Sequence, residues 1–162
     1  MTLTTVGTAL VGLGMVAALA SVAAVLGGRT GRAAGRAARG AAAALGLAGA
    51  ALLGALFTDR FEIAYVAAHA SRALPWWLRV AALWAGQEGS LLLWAGLQAG
   101  LALLVHRRAE GSGESLDRWA AAILSLVAAF YTAILLTLAN PFVAGGSVPA
   151  DGLGLNPLLR HA

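Results

Sequence analysis

The chain has no cysteine and no lysine, and only 11% of its residues are charged. Without cysteine there is neither a disulfide framework nor a thiolate metal site. Without lysine the glycine-arginine stretch from Gly27 to Gly40 is not a phosphate-binding loop, and it follows no strand; it reads as a basic turn with helix starts. A nucleophile elbow and a dinucleotide fingerprint are also missing. The scarcity of charge excludes more than any motif does. A soluble domain carries roughly 25% charged residues. Here 60% of the 162 residues are hydrophobic, more than one small core can hide, so the surplus has to face lipid. The net charge of +4 comes from arginines clustered between apolar runs, a topology signal rather than a nucleic-acid surface.

Four apolar runs are long enough for a bilayer crossing, which needs about 20 residues. They span 6–26, 41–57, 78–105 and 119–139, and they predict an all-α, polytopic membrane protein with a four-helix transmembrane bundle over 1–139. Small residues such as Gly46, Gly49 and Gly54 suit close helix packing. The first run has no preceding basic residue and exceeds a normal signal-peptide core, so it reads as a retained helix.

Orientation follows from the loops. Arg29, Arg32, Arg36 and Arg39 lie between runs one and two, and Arg107, Arg108 and Arg118, diluted by Glu110, Glu114 and Asp117, between runs three and four. The opposite side has Arg60, Arg72 and Arg79, offset by Asp59 and Glu62, and Arg160. The bias puts the first set in the cytoplasm and both termini outside. The outer loop carries Phe61, Tyr65, Trp76 and Trp77, rings that prefer an interface. Within it, residues 62–71 are expected as a short helix on the membrane, and Pro75 ends one element and opens the next. From Asn140 to residue 162 the prolines and glycines predict an irregular outer-face tail, expected to be the start of a continuation.

The local signal with chemical content runs from Trp84 through Gln87, Glu88, Gly89 and Ser90 to Trp94. A carboxylate inside a spanning helix costs about 2.5–3.5 kcal/mol on insertion scales, so it usually has a purpose. Glu88 lies about 15 Å along a helix begun at Leu78, or shallower if that helix starts obliquely. Trp84, Glu88 and Leu91 share one helical face, and Gly86 and Gly89 allow another backbone to approach. Two readings stay open: a site for a polar ligand group, proton path or cofactor edge, or a buried Glu satisfied by an arginine from another helix. His69 is placed in the outer loop, His106 at the solvated inner boundary and His161 in the tail. None has a metal-ligand spacing partner.

Taken together, Ala64-Tyr65-Val66-Ala67, His69, Ser71-Arg72, Leu74-Pro75, the block from Trp84 to Trp94, Asn140-Pro141-Phe142 and Leu155-Asn156-Pro157-Leu158-Leu159 resemble the amino-terminal part of the CcmF/NrfE/CcsA haem-handling family. The resemblance covers Phe61 to Leu159. It implies an amino-terminal subunit or fragment of a haem lyase for cytochrome c maturation, helping haem delivery and attachment to apocytochrome c at the outer face, the periplasmic side of a plasma (inner) membrane. It implies as partners the remaining CcmF part, the haem chaperone CcmE, a CcmH-type thiol protein and membrane lipid, with no nucleic acid. Alone the segment is expected to be non-catalytic. The family's tryptophan-rich haem cradle does not occur here, its haem-ligating histidines lie beyond this stretch, and Gln87 stands where some relatives carry histidine. Haem is therefore implied for the full family protein, with His69 a minor candidate ligand. The motif residues expected to matter are Trp84, Gln87, Glu88, Gly89, Ser90, Trp94, Asn140, Pro141, Asn156 and Pro157. The competing reading is a small transporter or proton-path subunit using Glu88.

Overall fold

In the computed structural model the described residues are 2–28, 31–112, 115–146 and 148–155. The chain is all-α. Helix α1 spans Leu3–Leu26, α2 Gly31–Phe57, α3 Ala64–His69, α4 Trp76–Ala82, α5 Gln87–Ser112 and α6 Ser115–Thr137. The long helices α1, α2, α5 and α6 are each long and apolar enough to cross a membrane. At 1.5 Å per residue their 23 to 27 residues reach about 35–40 Å, past the roughly 30 Å hydrocarbon layer.

The four long helices close a ring. α1 packs on α2 and α6, and α5 packs on the same two from the other side. What turns inward is small. The buried residues of α1 are Gly7, Val11, Gly14, Ala18, Ser21 and Ala24, spaced three or four apart on one stripe. α6 buries Ala121, Ala122, Ser125, Ala128, Ala129, Thr132 and Leu135. Leu45, Leu52 and Leu92 fill the gaps between these smooth faces. Leu13, Val16, Leu97, Ile123, Leu126 and Phe130 point outward and are exposed. This inside-out distribution belongs to a multi-pass membrane protein, in which small faces allow backbones close and lipid receives the large side chains.

Besides helix ends that extend past the apolar runs, to Leu3 in α1, Ser112 in α5 and Ser115 in α6, the boundaries differ from the sequence expectation in three places. The second run, expected to begin at 41, is helical from Gly31, because alanine dominates 33–44 and arginine is nearly as good a helix former. The third run, expected as one helix over 78–105, is broken between α4 and α5. The fourth ends at Thr137 instead of 139, since Asn140 precedes a proline and is biased out of the helical region.

One end of the ring is capped. There the chain between α2 and α5 meets the segment after α6. Ala64 N–H donates to the Val143 carbonyl at 2.9 Å and Gly145 N–H to the Glu62 carbonyl at 2.9 Å, around an antiparallel bridge between Ile63 and Ala144. Further on, Leu153 and Gly154 N–H donate to the carbonyls of Ala67 and Ala70. The tail is thus irregular in dihedral angles but paired. Phe142 is fully buried against Gly7 of α1, so closely that a methyl group there would overlap the ring. Phe61 and Tyr65, expected at the interface, are also buried, whereas Trp76 and Trp77 remain exposed. α3 does not lie on its apolar side toward lipid. Tyr65 and Val66 turn into the cap.

Candidate functional site

The break between α4 and α5 forms the site, and Tyr65 makes the break. In a continuous helix the Gly86 N–H would donate to the Ala82 carbonyl. Here the Tyr65 hydroxyl stands between them. It accepts from Gly86 N–H at 3.2 Å and donates to the Ala82 carbonyl at 2.8 Å, with the Leu83 carbonyl at 3.1 Å. A side chain inserted into the backbone ladder is a recognised cause of a sharp kink. Gly86 and Gly89 make the insertion possible. A Cβ at Gly86 would lie 2.6 Å from the His69 ring, and one at Gly89 would overlap the Leu83 carbonyl and the Tyr65 hydroxyl. Burial pushes the Tyr65 phenol up to about 12; the Gly86 N–H pulls it down in part, and the nearby Glu88 charge adds to the rise. The hydroxyl is therefore a neutral donor at any physiological pH.

His69 stacks on Tyr65 with ring centroids 4.3 Å apart, and its Nδ1 is 2.9 Å from the Tyr65 carbonyl. The break also moves Glu88. It sits in the first turn of α5, half-buried, rather than deep inside a helix begun at Leu78. Trp84 is outside α5 and no longer shares a helical face with it. No arginine pairs with Glu88 among the described residues, so of the two readings left open the interhelical salt bridge finds no partner here. The free N–H groups of a helix's first turn favour a carboxylate there. Gln87, the first residue of α5, is exposed. Ser90 closes the turn: its hydroxyl donates to the Trp84 carbonyl at 2.9 Å and its N–H to the Gly86 carbonyl at 3.1 Å. Trp84 and Trp94 are half exposed and do not enclose the acid.

Asn140 and Pro141 lie at the far side of the cap. Asn140 Nδ2 donates to Thr8 Oγ1 at 3.0 Å, and its Oδ1 accepts from Phe142 N–H at 3.0 Å. The side chain thereby ties the end of α6 to α1 and aims Phe142 inward. Asn156, Pro157 and His161 lie outside the described residues.

Two groups that sequence reasoning misjudged are buried, Arg79 at this end and His106 toward the opposite one. Arg79, counted only as a loop charge, is 9% exposed. Its guanidinium donates to the carbonyls of Leu56 at 2.9 Å, Phe57 at 3.2 Å, Ser71 at 3.2 Å, Arg72 at 3.2 Å and Leu74 at 3.1 Å, and pairs with Asp59 at 2.7 Å. It caps the C-terminus of α2 and gathers the strand of chain before α4. Its position four residues after Pro75 is the one signal that it sits in the first turn of a new helix. The other is His106. Expected at a solvated boundary, it is 2% exposed, with Nε2 2.9 Å from Ser21 Oγ, which in turn accepts from Ser125 Oγ at 3.3 Å. Its face of α5 points at α1 and α6, and serines meet it there.

The two described histidines differ: the Nε2 of His106 is taken by Ser21, whereas His69 is bonded through Nδ1 and its Nε2 lies beside Gly86. The groove beside the break, between α2 and α5, is apolar, lined by Gly46, Gly49, Leu83, Gly89 and Gly96, and holds about 170 Å³. That is below the usual 300–1,000 Å³ of ligand pockets. No group of three metal-ligating side chains occurs among the described residues.

A capped ring of four crossing helices, with a kinked helix pair and a carboxylate at the kink, defines a polytopic membrane bundle. Its relatives are specific. The chain is 36% identical over 107 residues to a cytochrome c-type biogenesis protein CcmF of Pseudomonas fluorescens, covering 65% of this chain and 16% of that protein. It is 34% identical over 119 residues to the CcmF of Escherichia coli (strain K12), covering 72% and 18%, and 36% identical over 101 residues to a probable NrfE of the same organism, covering 62% and 18%. Among solved structures, a cytochrome c haem lyase CcmF matches with a TM-score of 0.72 and 31% identity over 88% of this chain and 25% of its own. No family profile matches. The chain belongs to the CcmF/NrfE family of cytochrome c-type biogenesis proteins and spans less than a fifth of the length of the curated relatives it matches.

Proposed function

We propose that this chain is the amino-terminal subunit or segment of a haem lyase for cytochrome c maturation, helping haem delivery and attachment to apocytochrome c at the outer face of the plasma membrane. The observation that carries the reading is the match to the solved haem lyase over 88% of the chain. In this proposal both termini and the cap lie on the periplasmic side, as the arginine distribution suggests. The partners are the remaining CcmF part, a CcmE-type haem chaperone, a CcmH-type thiol protein and apocytochrome c.

The role of this chain's own residues is positional. Tyr65, with Gly86 and Gly89, sets the kink that points the first turn of α5, carrying Gln87, Glu88 and Ser90, out of the bundle end. Asn140 and Pro141 fix the cap beside it. Haem would be supplied and ligated by the larger assembly. Deleting the coding sequence in its host should abolish covalent haem on c-type cytochromes in haem-stained gels, and supplying it in trans should restore the signal. Unchanged haem staining after deletion would overturn the proposal.

A further inference from the structure

The opposite end of the ring, far from the cap, carries a feature the haem-lyase reading does not use. Arg32, Arg36 and Arg39 are spaced four and three apart on the first turns of α2, so they share one face. With Glu110 of α5 they line a cavity of about 460 Å³. Among the described residues three arginines face one acid here. Arg39 reaches Glu110 only at 3.8 Å, and neither Arg32 nor Arg36 makes an ion pair among the described residues. Arg108, another arginine near this end, is engaged by Asp117 at 3.3 Å. The Glu110 carboxylate rests against Gly35, between the arginines, and is the single acid in the lining among the described residues.

Depth decides what such a pocket meets. From Gly40 to Phe57, α2 carries no charge, a run of about 27 Å that nearly fills the hydrocarbon layer. Arg39, Arg36 and Arg32 then lie about 1.5 to 12 Å beyond its edge, within the headgroup layer. Guanidinium groups offer planar, paired donors that match phosphate oxygens. Basic pockets between membrane helices at this depth take phospholipid head groups.

We infer that the Arg32–Arg36–Arg39 face, closed by Glu110, is a binding site for the phosphodiester head group of an anionic phospholipid. The lipid tails would lie along the adjoining apolar surface of α2, where Leu47 is exposed. The occupant is a lipid rather than a free anion because the cavity opens at headgroup depth beside that surface.

The test uses the purified full chain in phosphatidylcholine nanodiscs, with phosphatidylglycerol as probe and bound lipid counted by native mass spectrometry. Near a membrane surface each basic residue contributes about 1 kcal/mol toward an anionic lipid, so the Arg32→Gln, Arg36→Gln double variant should bind phosphatidylglycerol about 30-fold more weakly. Glu110→Gln, which removes the competing acid, should bind it about fivefold more tightly. Millimolar inorganic phosphate should not displace the lipid. Equal retention of phosphatidylcholine, or unchanged affinity in the double variant, would overturn the assignment. Displacement by inorganic phosphate would also overturn it, in favour of a free-anion site. If the double variant does not assemble, Glu110→Gln decides alone, and no gain in affinity refutes the site.

Discussion

Replacing Arg79 by lysine keeps the charge and removes the shape. The guanidinium spreads its donors over the five carbonyls of Leu56, Phe57, Ser71, Arg72 and Leu74, and over Asp59. An ammonium presents three donors from one point and can serve one corner of that set. Lysine would keep the Asp59 contact at best with one or two neighbouring carbonyls. The rest, buried under a residue that is 9% exposed, would lose charge-assisted bonds. A hydrogen bond to a charged group contributes roughly 1.5–3 kcal/mol, but these share donors, so the sum is far from additive; the cost of Arg79→Lys is about 2–3 kcal/mol. Arg79→Met removes every donor and strands the Asp59 carboxylate, at about 3–5 kcal/mol. Asp59→Asn leaves all five carbonyls served and should cost about 1 kcal/mol. In detergent, by thermal denaturation, a chain of this size loses about 2–4 °C per kcal/mol. The expected order of melting temperature is wild type, Asp59→Asn, Arg79→Lys, then Arg79→Met, with Arg79→Lys about 4–12 °C below wild type. Arg79→Lys melting within the error of wild type would show that charge alone matters and that the carbonyl fan does not hold the cap.

Two further predictions concern the kink and the tail. Tyr65→Phe deletes the hydroxyl between Ala82 and Gly86 and leaves their backbone groups short of a partner, costing about 1–3 kcal/mol; Gly89→Ala should do at least as much harm, since its methyl group meets the Leu83 carbonyl and the Tyr65 hydroxyl, and thermal melts that match wild type for both would refute the inserted-hydroxyl account. Asp151 accepts from the N–H groups of Arg72 at 2.9 Å and Gly152 at 2.8 Å, and these, the Arg72 bond first, hold its carboxyl below its ordinary 3.8. A depressed carboxyl stabilises the fold above its unfolded value and loses that contribution as pH falls through the folded one. Hydrogen exchange of the Leu153 and Gly154 amides, which bind Ala67 and Ala70, should therefore accelerate only below about pH 4 relative to an Asp151→Asn reference.

Several features were already legible in the sequence. Four long apolar runs force four crossing helices, because an exposed backbone cannot be satisfied in lipid. The motif from Trp84 to Trp94 marked the right stretch of chain. It did not disclose that the stretch is bent, since the residue that bends it lies about 20 positions earlier, in α3, and nothing in local periodicity reports a hydroxyl arriving from elsewhere. Arginines illustrate the same limit. Arg79, Arg60 and Arg72 look alike as loop charges, yet Arg60 is an exposed partner of Glu62 and Arg79 is the buried clamp of the cap. His106 beside Arg107 and Arg108 reads as solvated, but successive helical residues point about 100° apart, so one faces two serines while the others face water.

Hydropathy and composition by themselves determined that the chain crosses a membrane four times, because apolar length is a property of the chain alone and the bilayer sets the threshold. They also located the polar block around Glu88 and the basic start of α2. Only the tertiary structure decided what those features are. It placed Glu88 at a helix start instead of mid-membrane, turned Phe61, Tyr65 and Phe142 inward, and set Arg32, Arg36 and Arg39 around one cavity with a single acid. The physical reason is common to all three. Burial and partnership depend on which surfaces meet, and here the deciding contacts join segments separated by 17 to 135 residues of chain.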